Sequence, residues 1–146
     1  MRRLIALAVI ALTLTGCTQK PAFEELADGQ CTGAQSKLIE KHISGQIDAL
    51  AEKNWEAAYS FASKDFQAAV PIDQFTFIIG SQYAMLVENQ GYEFDNCAIA
   101  SQMIKQEVSV TSGEQVFNLT YRLSVTGNAL GVESAEVGKV NTQQNI

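Results

Sequence analysis

The sequence is poor in the side chains that bind metal ions or attack substrates as nucleophiles. It has a single histidine, His42, and three cysteines without Cys-x-x-Cys spacing, which argues against a zinc site. A lone histidine without a second ligand is expected to be a surface or helix-boundary residue. Ser60 and Ser63 stand in neither a nucleophile elbow nor a triad pattern. We therefore predict no metal, no cofactor and no catalytic residue.

Long hydrophobic runs are also lacking. The apolar run at residues 4–14, broken by Thr13, is too short for a membrane-spanning helix, which needs roughly 20 apolar residues. It follows two arginines and leads through small residues to Cys17, which is the order of an export signal. The residues Leu-Thr-Gly-Cys at 14–17 resemble the lipobox of bacterial lipoproteins. This resemblance implies cleavage before Cys17, a diacylglycerol on its sulfur and a further acyl chain on its new amino group.

These features predict an envelope lipoprotein with no catalytic activity, held at a cell membrane by its lipid. Two or more acyl chains anchor a protein stably, whereas one does not. Thr18 follows the cysteine in place of the aspartate that commonly retains such proteins at the inner membrane. We therefore expect the periplasmic face of the outer membrane in a Gram-negative cell.

Basic residues are few. The chain has 10 Lys and Arg against 16 Asp and Glu, which gives a net charge of −6. Loss of Arg2 and Arg3 with the signal makes the mature chain more acidic still, so nucleic acids and anionic lipid surfaces repel it overall. The expected partners are the membrane through the lipid, and an envelope protein or a small apolar ligand. Nucleic acid is not expected.

Two cysteines, Cys31 and Cys97, remain if Cys17 carries the lipid. An exported protein meets oxidising machinery, so a disulfide between the two is the natural prediction. The alternative is a pair of buried free thiols.

The first half of the chain has helical periodicity. Residues 34–52 repeat apolar side chains at three- and four-residue steps, which predicts one amphipathic helix. Asn54 is placed to cap a second helix that begins at Trp55. Shorter helical patterns follow at residues 65–70, from Pro71 to a stop at Gly80, and near Tyr83.

The second half has strand periodicity. Polar and apolar residues alternate through residues 115–126, and shorter alternating stretches lie near 92–99, 104–110 and 130–140. Helices followed by antiparallel strands predict an α+β domain. We divide the chain into a signal peptide (1–16), a lipidated cysteine and tether (17–30) with one helical turn near 23–27, a single domain (31–140) and a polar tail (141–146).

Residues 43–63, ISGQIDALAEKNWEAAYSFAS, with PIDQF at 71–75 and Tyr83, resemble small bacterial domains of the nuclear transport factor 2-like superfamily, in an uncharacterised branch. The likeness covers residues 43–137. It implies N-terminal helices packed on a curved antiparallel sheet in a cone, an architecture also described as cystatin-like. Leu130 departs from the branch, which has a tryptophan there.

Relatives of this shape include isomerases, dehydratases, binding modules and dimer scaffolds, so the fold does not decide the activity. A binding or scaffold domain is the favoured hypothesis, and a homodimer is compatible with it. The alternative is an isomerase- or dehydratase-like enzyme with Asp95 as base. Candidate pocket residues, which would otherwise fill the core, are Trp55, Tyr59, Phe75, Tyr83, Tyr92, Asp95 and Tyr121.

The lipid anchor generates the first prediction. Cys17→Ser removes the sulfur that carries the diacylglycerol, so the variant should leave the membrane fraction. Thr18→Ser is the control and should stay there. Fractionation of cells followed by immunoblotting measures both, and a Cys17→Ser protein that still sediments with membranes would refute lipidation at this residue.

Overall fold

The computed structural model describes residues 20–138 of the chain. Within them the fold is α+β, as predicted, with helices first and a curled, unclosed antiparallel sheet second. The helices are α1 (Gly33–Ala51), α2 (Trp55–Ser60), α3 (Lys64–Ala69), α4 (Ile72–Gln82) and α5 (Ala84–Val87). The strands are β1 (Gly29–Gln30), β2 (Gly91–Ala100), β3 (Met103–Ser112), β4 (Gln115–Thr126) and β5 (Ala129–Val137). The signal peptide, Cys17 and the polar tail lie outside the described residues.

Helix α1 forms where the apolar periodicity places it. Its start is fixed by a capping box, in which the Thr32 hydroxyl accepts from the Gln35 backbone and the Gln35 side chain accepts from the Thr32 backbone. One face of the helix is almost completely buried, with side chains at 0–1 % exposure: Ile39, Ile43, Ile47 and Leu50. Truncating a buried Ile or Leu to Ala costs about 2–5 kcal/mol, so this face contributes much of the stability.

The sheet has five strands in chain order, and every neighbouring pair is antiparallel. Because side chains alternate between the faces of a strand, β3 and β4 each turn one apolar row toward the helices, which is called the inner face here. Its buried residues include Ile104, Val108, Val110, Leu119 and Leu123. The outer face carries polar residues such as Ser109, Asn118 and Arg122.

Two local expectations are corrected by the structure. Gly80 does not end α4, because the helix continues to Gln82 and the Tyr83 backbone N–H still donates to the Ile79 carbonyl. No helical turn forms across residues 23–27, where only a turn at 22–24 is present. In the described residues, no helix is both long and apolar enough to cross a membrane.

Part of the segment assigned to the tether packs on the domain. Phe23 is buried at 6 % exposure, and the Gln35 amide donates to the Ala22 carbonyl at 3.0 Å. Strand β1 then pairs with Ala98 and Ile99 of β2. An isolated phenylalanine in a polar segment gives no periodicity, so the sequence pattern alone did not predict this docking.

The predicted disulfide is present between Cys31 and Cys97, which are 66 residues apart in sequence. It joins the end of the docked N-terminal segment to β2, where the Cys31 backbone N–H also donates to the Cys97 carbonyl at 3.1 Å. Cys97 lies at the end of an irregularity in the β2–β3 register that begins at Phe94.

This cross-link generates the second prediction. Cys31→Ser, Cys97→Ser and the double variant should lower the melting temperature by similar amounts, since each breaks the same bond. The loss in unfolding free energy is expected to be up to about 4 kcal/mol, from the added entropy of the unfolded chain. Calorimetry of the three variants measures it, and strongly additive single losses would mean that the sulfurs act independently.

Candidate functional site

A cavity of about 140 Å³ lies between the helices and the inner face of β4 and β5. Its walls are mostly apolar and include Leu50, Phe75, Ile79, Leu86, Tyr121 and Val132. A dry apolar cavity of about 150 Å³ is large enough to bind benzene. The space therefore suits a small apolar molecule or group.

Tyr121, one of the residues that line this cavity, has a buried hydroxyl. The residue is 1 % exposed, and its hydroxyl has no hydrogen-bond partner within residues 20–138. Burial raises the pKa of Tyr121 far above its usual value, and the nearby hydroxyls of Tyr83 and Tyr92 raise it further. The group therefore remains protonated at physiological pH and is available as a donor.

Two further polar residues of the lining, Gln46 and Tyr83, donate hydrogen bonds to backbone carbonyls. Gln46 is buried, and its amide donates to the Ala58 carbonyl at 3.2 Å, which ties α1 to α2. The Tyr83 hydroxyl donates to the Ala135 carbonyl of β5. Burial raises the pKa of Tyr83, and the Glu136 carboxylate raises it further.

The cavity brings together three of the predicted pocket residues: Phe75, Tyr83 and Tyr121. The other three aromatic candidates lie outside its lining. The Tyr59 hydroxyl donates to the carbonyls of Gln67 and Val70, which fastens α3 to α2. The Tyr92 hydroxyl donates to a carboxylate oxygen of Asp48 at 2.7 Å. Trp55 begins α2 and packs, partly buried, against the core.

Asp95 is on the wrong side of the sheet for a base. Its carboxylate accepts from the Ser109 hydroxyl at 2.7 Å, and Ser109 alternates with the buried residues Val108 and Val110 of β3. The side chain therefore lies on the outer face, whereas Tyr121 lies on the inner face. The two strand faces therefore separate Asp95 from Tyr121, with which the enzyme alternative would combine it.

His42 also differs from expectation. It is within α1, half-buried, with Nε2 2.8 Å from the Phe61 carbonyl and its ring edge against the Phe61 ring. Burial lowers its pKa, although the hydrogen bond to Phe61 acts in the opposite direction. Across residues 20–138, no three His, Cys, Asp or Glu side chains lie close enough to hold a metal ion.

The site also contains residues that the sequence analysis did not select. Gln46 lies between Ile43 and Leu50 on the buried face of α1. A polar residue in this otherwise apolar row is the sequence signal that could have identified it as a site residue. Val132 and Ala135 line the cavity from β5. Their positions depend on the register shift between Arg122 and Leu123, which no pattern in the sequence marks.

Comparison with known proteins gives two matches. A family model described as a domain of unknown function (DUF4864) matches residues 32–143. A model of the prokaryotic membrane lipoprotein lipid attachment site matches residues 1–18. No curated protein and no solved structure matches the chain.

Two tyrosine hydroxyls, of Tyr121 and Tyr59, generate the third prediction. Tyr121→Phe removes a hydroxyl that has no partner among the residues that the structure describes, so the free energy of unfolding should rise by about 1 kcal/mol. Tyr59→Phe is the matched control, because it removes a hydroxyl that makes two hydrogen bonds and should lower that energy by about 1 kcal/mol. Urea unfolding measures both variants. A clear loss of stability in Tyr121→Phe would mean that its hydroxyl has a partner in solution.

Proposed function

Because the chain belongs to the DUF4864 family and carries a lipid attachment site, we propose that it is an envelope lipoprotein whose domain binds a small apolar ligand. The domain acts as a binding module, not as an enzyme. The anchor is the diacylglycerol on Cys17, and the periplasmic face of the outer membrane is the proposed location. The nuclear transport factor 2-like relationship remains part of this proposal.

The observation that carries the proposed binding role is the unpartnered Tyr121 hydroxyl beside an apolar cavity. Leaving a buried donor without an acceptor costs about 1–3 kcal/mol. A ligand that supplies an acceptor regains that energy on binding. The class of ligand that fits is therefore a compact apolar molecule, about the size of a six-membered ring, with one carbonyl or ether oxygen.

The titratable groups around the cavity favour binding over catalysis. The raised pKa values of Tyr83 and Tyr121 keep both phenols neutral, so they donate hydrogen bonds but do not act as bases. The carboxylate in the lining belongs to Glu133 and accepts from the Ser124 hydroxyl. Ser124 follows the buried Leu123 on β4 and so belongs to the outer face. These contacts direct the carboxylate away from Tyr121.

Two ring compounds of equal heavy-atom count test the ligand class, which is the fourth prediction. Cyclohexanone carries a hydrogen-bond acceptor and methylcyclohexane does not, so cyclohexanone should bind the folded protein more tightly. Because a ligand that binds only the folded state stabilises it, cyclohexanone should raise the melting temperature more than methylcyclohexane does. In Tyr121→Phe the difference between the two compounds should disappear.

Thermal shift measurements across a concentration series, followed by a soaked crystal structure, provide the readout. Density for the ketone beside the Tyr121 hydroxyl would support the binding role. No shift with either compound, together with a cavity that stays empty in the soaked crystal, would overturn it.

A further inference from the structure

A second concavity lies on the outward side of α1, away from the cavity. This anchor-side groove has a volume of about 370 Å³ and is formed by the N-terminal segment, α1, the end of α2 and the β4–β5 turn. Its lining includes Phe23, Leu38, Lys41, Phe61, Asn128 and Leu130. Ligand sites in proteins typically measure about 300–1,000 Å³, so the groove is large enough to take up part of a lipid.

The floor of the groove is fixed by close packing. The Phe61 ring lies against Gly45 so closely that a Cβ atom added there would stand 2.5 Å from Phe61 Cζ. The Phe61 carbonyl is also held by His42. At the rim, the side chain of Leu38 is 45 % exposed. The groove is therefore a preformed concavity with a fixed floor and an exposed apolar side chain, Leu38, at its rim.

The chain itself keeps this groove close to the lipid anchor. Phe23 lines the groove and is buried at 6 % exposure, and Cys17 precedes it by only six residues. A fully extended chain advances at most about 3.6 Å per residue, so roughly 20 Å is the greatest distance between them. The part of the domain around Phe23 therefore stays near the membrane interface whenever Cys17 carries its lipid.

The charges around the groove favour contact with lipid phosphates. Among the described residues, no carboxylate belongs to the groove lining, and the lysine of the lining is Lys41. Lys37 is exposed one turn earlier on α1. The acidic residues of the adjoining segment are Glu24, Glu25 and Asp28, of which Glu25 pairs with Lys20 at 3.9 Å and Asp28 accepts from the Ser101 backbone. Since the whole chain is acidic, an anionic membrane repels it overall, and a surface that presents lysine is the more favourable one to face the lipid.

We propose that the anchor-side groove is the surface on which the domain rests against the phospholipid bilayer. Leu38 and Phe61 contact the acyl-chain region, and the ammonium group of Lys41 meets lipid phosphate. A snorkelling lysine beside buried apolar side chains is the usual arrangement at such an interface. This docking surface rests on the lipid anchor of the proposed function and is independent of the cavity ligand.

A single tryptophan can report this contact, because the chain has only one, Trp55. In a Trp55→Phe background, Leu38→Trp places the reporter on the groove rim, and Phe77→Trp is the matched control. Phe77 is 73 % exposed on α4 and outside the groove lining. Both full-length, lipidated variants are reconstituted into vesicles of phosphatidylethanolamine and phosphatidylglycerol that contain brominated phospholipid, which quenches nearby tryptophan fluorescence.

We expect the tryptophan at position 38 to be quenched several-fold more strongly than the one at position 77, with emission shifted to shorter wavelength. Adding Lys41→Glu should reduce the quenching at position 38. Flotation of the vesicles reports anchoring separately, so a failure of the lipid anchor is distinguished from a failure of groove docking.

Two results would overturn the docking surface. Equal quenching at both positions in protein that floats with the vesicles would mean that the domain has no preferred orientation. A blue-shifted but unquenched tryptophan at position 38 would mean that protein, such as a second copy of this chain, covers the groove.

Discussion

The packing of α1 against the inner face of the sheet positions everything else in this domain. The side chains of this helix that face the core are at most 1 % exposed: Ile39, Ile43, Ile47 and Leu50. Because they occupy one face of the helix, the opposite face is left to the anchor-side groove, while Gln46 at the edge of the buried row reaches the cavity. The two concavities therefore lie on opposite sides of the same helix, and a change in its tilt would alter both.

The sequence predicts the elements of this fold better than their tertiary contacts. The bounds of β4 agree with the alternating stretch at residues 115–126, and Asn54 caps α2 through its side chain, as expected. Periodicity and capping are local, so one sequence is enough to read them. The cavity depends instead on how sheet curvature and register bring distant residues together, and only part of the aromatic set meets there.

The irregularity in β2 shows where alternation stops predicting the faces of the sheet, because Phe94 and Cys97, three residues apart, pair with Val108 and Gln106 of the same buried row of β3. Between Phe94 and Cys97 the register with β3 shifts, and the buried Gln106 amide fills the break by donating to the carbonyls of Asp95 and Asn96. A bulge changes which residues share a face. Polar side chains in this domain thus have different roles. The buried Gln106 fills a strand irregularity, and the half-buried Tyr59 fastens a short helix. The buried Tyr121 hydroxyl has no partner within residues 20–138 and is left for the ligand that we propose.

The disulfide gives the anchored protein a defined response to mechanical load. With the proposed lipid on Cys17, a force on the domain from the membrane enters the chain there and travels along the N-terminal segment to Cys31, whose sulfur is bonded to Cys97 in β2. The segment before Cys31 can be peeled away, but the 66-residue loop between the cysteines cannot be extended while the bond is intact. Tension therefore passes by covalent bonds into the sheet and bypasses α1 to α5. The domain can be pulled by its anchor without its helices being drawn out.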